Sequence, residues 1–112
     1  MTKDVFTVVR SSGERTTATC QYLLELVFSS KAIKTQVSPF SRAIQLGYEL
    51  GINSGKEWTL IVDADVLIYQ NGVEKLIKFA SSQPKDIFMF FGCIADKLMW
   101  SVRPGGVKLY RT

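Results

Sequence analysis

Residues 58–65 read Trp58-Thr59-Leu60-Ile61-Val62-Asp63-Ala64-Asp65, and this stretch of the 112-residue sequence decides the fold. Its first five residues are almost wholly apolar, which is typical of a central parallel strand covered on both faces. The run leads directly into two aspartates that stand two residues apart. Because ligands of open α/β sheets bind just beyond the carboxyl ends of the strands, the stretch predicts both a buried strand and a ligand site at its end.

Strand-like and helix-like segments alternate on either side of this stretch. Two further apolar runs predict buried strands, at residues 5–10 and 86–92. Three segments carry apolar residues at helical spacing and predict helices, at residues 15–28, 39–51 and 71–82. This alternation is typical of a sheet with helices packed on it. We therefore predict a single α/β domain over residues 1–112, with a mostly parallel sheet.

Cap and turn residues mark the ends of these elements. Ser12 or Thr16 is the predicted cap of the first helix, and Pro39 is expected in the first turn of the second. Residues 32–37 alternate loosely between apolar and polar and predict a short strand. In the tail, Pro104-Gly105-Gly106 separates two strand-like pieces, which predicts a hairpin turn there.

The composition excludes several classes of function. The sequence contains no histidine, so a Ser-His-Asp triad, a Cys-His pair and a His-containing metal site are all impossible within this chain. Acid–base and metal roles therefore fall to Asp and Glu. The net charge is +4 and the pI is about 9.2, but the basic residues are scattered. We expect nucleotide phosphates rather than nucleic acid as the anionic partner.

The first residues do not resemble a signal peptide and the apolar runs are too short to span a membrane, so we expect a cytoplasmic protein without a transmembrane segment. Its two cysteines, Cys20 and Cys93, lie in apolar stretches and form no CxxC pair. We expect two buried free thiols in a reducing compartment.

The two aspartates after the central strand are the candidate metal ligands. In an extended segment alternate side chains point the same way, so Asp63 and Asp65 are expected to face one site. Two close carboxylates repel each other unless a cation lies between them. A hard divalent cation such as Mg²⁺ or Mn²⁺ prefers oxygen ligands and can neutralise a diphosphate leaving group. The alternative is a pair of capping or turn aspartates without a ligand.

Three segments carry a resemblance to a known family. The first is a strand and loop at residues 6–16. The second is the helical segment Phe40-Ser41-Arg42-Ala43-Ile44-Gln45-Leu46-Gly47. The third is the strand that ends in Asp63-Ala64-Asp65. With this spacing they resemble the inverting glycosyltransferases of the GT-A fold, the large family two group, whose DxD motif the third segment matches. The likeness spans residues 5–80, and residues 105–111 continue it.

The resemblance implies a GT-A-like, Rossmann-like nucleotide-diphospho-sugar transferase fold. It implies that a divalent metal, Mn²⁺ or Mg²⁺, is bound by Asp65 with help from Asp63, and that the chain binds a nucleotide-diphospho-sugar, most simply a UDP-sugar, for transfer of the sugar to an unknown acceptor. The residues it implies for nucleotide-sugar binding are Arg10, Ser11, Gly13, Glu14, Arg15, Arg42, Asp63 and Ala64.

The chain departs from the family pattern in two places. Residues 31–38 offer no Asp or Glu to contact the base. After Asp65, no carboxylate stands in the context of the family's general base, so the catalytic residue is unassigned and turnover by this chain is an open question. We expect that the GT-A-like fold is truncated, that the acceptor-binding half is missing, and that a partner chain or a second copy supplies it.

Two other functions fit the same residues. Residues 60–67 resemble the hhhhDxDx(T/V) signature of haloacid-dehalogenase-like phosphatases, in which Asp63 would be the nucleophile and Asp65 the acid/base, with Mg²⁺. The other function is a binding or assembly module that keeps the fold without turnover.

Overall fold

The computed structural model describes the backbone of residues 4–96 and 101–112 and the side chains of residues 4–92 and 106–112. Within these ranges the elements follow in the order β1 (Val5–Arg10), α1 (Thr17–Phe28), β2 (Ile33–Thr35), α2 (Phe40–Ser54), β3 (Trp58–Asp63), α3 (Gln70–Ser81), β4 (Met89–Asp96) and β5 (Ser101–Arg111). Each predicted helix overlaps an observed one. No helix in the described ranges combines the length and the apolar character needed to cross a membrane.

The strands form one sheet in the order β2-β1-β3-β5-β4. β1 is parallel to both β2 and β3, whereas β5 is antiparallel to both of its neighbours, β3 and β4. Four of the five described strands therefore run in the same direction, and the predicted mostly parallel α/β fold is confirmed. β3 lies at the centre with residues 58–62 buried, as predicted for a strand covered on both faces.

The two faces of the sheet are covered unequally. α1 and α3 pack on one face, where Leu24, Leu60 and Leu109 belong to the larger core cluster. On the opposite face α2 packs against Val8 and Ile61. Full burial of one such aliphatic side chain stabilises a fold by about 1.5–3 kcal/mol. These two clusters hold β1 and β3 side by side, which positions their carboxyl ends.

The tail differs from its prediction. Residues 104–106 do not form a hairpin turn, because they lie inside the long strand β5, whose residues 107–111 pair with β3. The β4–β5 register shifts here, between the partners Cys93–Pro104 and Phe91–Lys108. Gly106 adopts a φ of 75°, which glycine tolerates at bulges. The Pro-Gly-Gly segment is therefore an irregularity within a strand.

Residues 86–91 are also not the buried strand that was predicted. Only Phe90 is buried, at 7% exposure, whereas the other large apolar side chains of this run are 38–55% exposed: Ile87, Phe88, Met89 and Phe91. β4 lies at the edge of the sheet, and Phe90 alone points to the core that α1 and α3 cover. An apolar run by itself does not distinguish an edge strand from a central one.

Candidate functional site

The carboxyl ends of β1 and β3 bring Arg10 and Asp63 together. The two residues are Cα partners in the parallel register, and Arg10 Nε donates a hydrogen bond to Asp63 Oδ1 at 2.9 Å. Their side chains are only 17% and 20% exposed. Hydrogen bonds between charged groups are shorter and stronger than those between neutral ones. Both residues were predicted at the site, but their contact with each other was not.

The chain turns sharply after Asp63. The Ala64 N–H donates to the Arg10 carbonyl at 2.9 Å, and the Thr16 hydroxyl donates to the Ala64 carbonyl at 2.6 Å. Residues 64–65 form a turn, with Ala64 buried and Asp65 exposed. The extended geometry from which a common orientation of the two aspartates was predicted is therefore wrong. Asp63 is held by Arg10, and Asp65 is open to solvent.

The loop between β1 and α1 is ordered by its own hydrogen bonds. The Ser12 N–H donates to Glu14 Oε1 at 2.6 Å, and the Ser11 hydroxyl donates to the same oxygen at 3.3 Å. The Gly13 N–H donates to Ser11 Oγ at 3.0 Å. Hydrogen bonds to the carboxylate, the Ser12 amide first, lower the pKa of Glu14. The side chains of Ser11 and Glu14 thus maintain the shape of the loop, and Ser12 and Gly13 are exposed.

The start of α1 is tied to this loop and to the turn after β3. Thr16 precedes the helix but makes no side-chain cap, because its hydroxyl bonds to Ala64 instead. The Thr17 N–H and hydroxyl both donate to the Glu14 carbonyl, at 3.2 and 2.8 Å. The predicted capping role of Ser12 or Thr16 is therefore wrong, and Thr16 connects α1 to the aspartate motif.

Cys20 lies next to the aspartate motif on the inner side of α1. It is fully buried, and its Sγ lies 3.8 Å from the Asp63 carbonyl oxygen. Burial raises the pKa of Cys20 to about 11, with smaller contributions from the charges of Asp63 and Asp65. Both carboxylates therefore lie within electrostatic range of one thiol. The predicted buried free thiol is confirmed for Cys20, while the side chain of Cys93 lies outside the described residues.

The raised pKa of Cys20 predicts a loss of stability at alkaline pH. The neutral thiol is favoured in the folded state, so its stabilising contribution is complete below the ordinary thiol pKa of 9.0 and is lost as the pH rises towards the folded-state pKa of about 11. We expect the free energy of unfolding to fall more steeply over this window in the parent than in Cys20→Ala, as measured by urea unfolding at several pH values. Parallel pH curves for the two proteins would contradict the assignment.

The other two predicted arginines lie in more open surroundings. Arg42 in α2 is half exposed, and its Nη1 is 3.8 Å from Glu49 Oε1. An exposed pair of this kind contributes little to stability. Arg15 is exposed and makes no ion pair within the described residues. Of the three arginines, Arg10 is the one that the structure places against the aspartate motif.

The sequence analysis missed two residues near this pair, Phe40 beside Arg10 and Lys108 beside Phe40. Phe40, the first residue of α2, is 51% exposed, and Arg10 Cζ lies 4.7 Å from its ring centroid. Lys108 Nζ, from β5, lies 5.2 Å from the same centroid. Both distances fall within the range of cation–π interactions. No local signal marks Lys108, because it reaches this place only through the pairing of β5 with β3.

Asp63 and Asp65 are the carboxylates at the end of β3 that could hold a divalent cation together with phosphates. The described residues contain no group of three or more His, Cys, Asp or Glu side chains able to hold an ion. Mg²⁺ is usually bound through one or two carboxylates, substrate phosphates and water, and Asp63 and Asp65 supply that number of carboxylates. One oxygen of Asp63 is occupied by Arg10. The donor set therefore suits an ion that arrives with a diphosphate better than an isolated ion.

Comparison with known proteins supports the fold. No protein-family model and no curated protein sequence matches the chain. Among solved structures, it is similar to a glycosyltransferase involved in the glycosylation of the major capsid of PBCV-1, at 16% identity and a TM-score of 0.58. The chain has a glycosyltransferase-like fold. The similarity covers 96% of this chain, which spans 60% of the length of that glycosyltransferase.

This glycosyltransferase-like fold confirms the fold part of the predicted resemblance. It places Arg10, the loop of residues 11–14 and the Asp63–Asp65 turn at one edge of the sheet. That edge, at the carboxyl ends of the parallel strands, is where open α/β sheets bind ligands.

Proposed function

We propose that this chain binds a nucleotide-diphospho-sugar at the carboxyl edge of β1 and β3, through Mn²⁺ or Mg²⁺ held by Asp63 and Asp65, for transfer of the sugar to an acceptor. The observation that carries the proposal is the aspartate turn at the end of the buried strand β3 within a glycosyltransferase-like fold. The haloacid-dehalogenase-like alternative has no comparable support, since a solved structure with a similar fold is a glycosyltransferase.

Each residue of the edge has a role in this proposal. A divalent ion supplies charge neutralisation for a diphosphate leaving group. Asp65, which is exposed, would hold that ion, and Asp63 would share it or contact the ribose. The guanidinium of Arg10 would bind a phosphate. The exposed tip of the loop at Ser12 and Gly13 would border the nucleoside.

The contact between Arg10 and Asp63 couples the binding of the metal ion to the binding of the nucleotide. While Arg10 donates to Asp63 Oδ1, one carboxylate oxygen is occupied and a positive charge lies beside the ion site. A phosphate that binds Arg10 would weaken this contact and leave Asp63 available to the ion. Metal and nucleotide should therefore each raise the affinity for the other, since such coupling is reciprocal.

Arg10→Gln should consequently shift the affinity for Mn²⁺ and the affinity for UDP in opposite directions. The affinity for Mn²⁺ alone should rise several-fold, because the substitution removes a repelling charge. The affinity for UDP in the presence of Mn²⁺ should fall by about tenfold, the loss expected for one charge-assisted contact. Calorimetry measures both, and Lys75→Gln, an exposed position in α3, is the control. Equal losses of both affinities would contradict the coupling.

A thermal-shift panel tests the proposed function directly. A ligand that binds only the folded state at one hundred times its Kd stabilises it by about 2.7 kcal/mol. We expect UDP and UDP-sugars to raise the melting temperature in the presence of Mn²⁺ and to have little effect in its absence. Stabilisation by Mg²⁺ with a phosphate mimic, without any nucleotide, would instead support the phosphatase alternative. No shift with any nucleotide would overturn the proposal.

The non-catalytic assembly module is the second candidate, because one observation favours it. Met89 and Phe91 in the edge strand β4 and Phe88 just before it are exposed, and exposed apolar edges are sites of strand pairing and protein contact. The partner to test first at this edge is a second copy of the chain, which would pair its β4 with the β4 of the first. Sedimentation velocity over a range of concentrations should then show a reversible dimer, and a monomer at all concentrations would exclude this assembly.

A further inference from the structure

Lys108 places a positive charge on the face of the sheet that α2 covers. It is the register partner of Ile61 in β3, whose side chain packs in the cluster beneath α2. The Lys108 side chain is half buried, and its Nζ reaches the ring of Phe40 at the start of α2. The ammonium group therefore lies against an exposed aromatic ring at the start of α2, within the range of a cation–π interaction.

The charge of Lys108 is not compensated by a carboxylate within the described part of the chain. The ion pairs there join Arg10 to Asp63 and Arg42 to Glu49, and no carboxylate lies within 4.0 Å of Lys108. The same ring carries Arg10 at 4.7 Å. Two cations around one ring repel each other. An anion within reach of both would relieve that repulsion.

We infer that Lys108 and Arg10 form a binding site for a diphosphate group, with Phe40 as the aromatic support that holds both side chains in place. The inference rests on the proposed function, since the diphosphate would be that of the sugar nucleotide. The planar guanidinium of Arg10 offers several N–H donors in a fixed geometry. The ammonium of Lys108 acts as a point charge on the same ligand.

The position of Lys108 makes this role specific. β5 lies directly beside β3, and Lys108 is paired with Ile61. Ile61 precedes Asp63 by two residues, so Lys108 lies on the same face of the sheet as the Arg10–Asp63 pair and two residues further from the carboxyl end of β3. A ligand bound at the carboxyl edge of β1 and β3 can therefore contact Arg10 at the edge and Lys108 on the adjoining part of the sheet. Phe40 contacts both cations through its ring and is exposed over half of its surface.

The test is a calorimetric titration with two probes, inorganic pyrophosphate and UDP, each in the presence of Mn²⁺. Lys108→Met keeps the aliphatic chain and removes the charge. It should weaken the binding of both probes by about tenfold or more, the effect of one charge-assisted contact. Lys108→Arg should retain affinity to within about threefold, because the charge is restored. Phe40→Leu, which keeps both cations, should also weaken both probes, whereas the exposed Lys75→Met should not.

The outcomes distinguish this inference from the proposed function. Pyrophosphate binding that depends on Lys108, without any binding of UDP, would support the diphosphate site and overturn the nucleotide assignment. Equal affinity of the parent and Lys108→Met for both probes would overturn the inference and leave the nucleotide assignment standing. Absence of binding of either probe by the folded parent would overturn both. Thermal unfolding of each variant establishes that it is folded.

Discussion

Asp65→Asn should lower the affinity for UDP in the presence of Mn²⁺ by about tenfold to a hundredfold, the effect of losing one charged ligand. The substitution keeps the size of the side chain and removes its negative charge. Asp65 is exposed at the turn after β3, and no ion pair within the described residues engages it, so its carboxylate is available to an ion without breaking an internal contact. The stability of the protein should therefore change little.

The matched control is Asp86→Asn, an exposed aspartate placed before β4 and outside the proposed site. Calorimetry of parent, Asp65→Asn and Asp86→Asn with UDP, with and without Mn²⁺, separates the metal-dependent part of binding from the rest. In Asp65→Asn the two titrations should converge, because little metal-dependent binding remains. An unchanged dependence on Mn²⁺ in Asp65→Asn would place the ion elsewhere.

Local sequence patterns predicted most of the elements that build the edge of the sheet. Apolar, β-branched residues in β1 and β3 and the apolar stripes of the helices are repeated over short distances, so they can be recognised without knowledge of the fold. The carboxyl end of β3 followed from the transition between Val62 and Asp63. The strand–helix alternation then predicted a mostly parallel sheet, but not which strands are neighbours in it.

The strand order and the polar contacts could not be predicted in the same way. β5 inserts between β3 and β4, and this choice of partner is made by packing between residues that are distant in sequence. The position of β5 brings Lys108 to Phe40. It also makes residues 104–106 part of a continuous strand, where a hairpin turn was predicted. The pairing of Arg10 with Asp63 depends on the register of β1 against β3. Neither spacing nor composition determines such a register.

The position of α2 matters for the site because this helix carries Phe40. Gly51 determines how closely α2 approaches the sheet. Gly51 is buried where α2 packs against Thr59 of β3. A Cβ at residue 51 would overlap three atoms of the Thr59 side chain: Oγ1, Cγ2 and Cβ. Thr59 is itself fully buried, and its hydroxyl is hydrogen-bonded to that of Thr112. It therefore has little room to move away.

Gly51→Ala should accordingly destabilise the protein by about 1–3 kcal/mol, the usual cost of overpacking, even though alanine is favoured over glycine in a helix by about 1 kcal/mol. In a domain of this size, each kcal/mol lowers the melting temperature by about 4–8 °C. Gly47→Ala on the same face of α2 is the matched comparison. Its Cβ would meet mainly the terminal Cδ1 of Ile61, at 2.8 Å, and this end of a flexible side chain can shift.

Thr59→Ala in the Gly51→Ala background provides the sharper test, because it removes two of the three overlapped atoms. The double variant should recover part of the stability lost by Gly51→Ala, so that the two substitutions are non-additive in a double-mutant cycle. Urea unfolding of the parent, both single variants and the double variant measures the coupling. Additive losses of stability, or a Gly51→Ala protein as stable as Gly47→Ala, would contradict this prediction. Either result would show that the close approach at Gly51 does not hold α2 against β3. The placement of Phe40 over Arg10 would then need another cause.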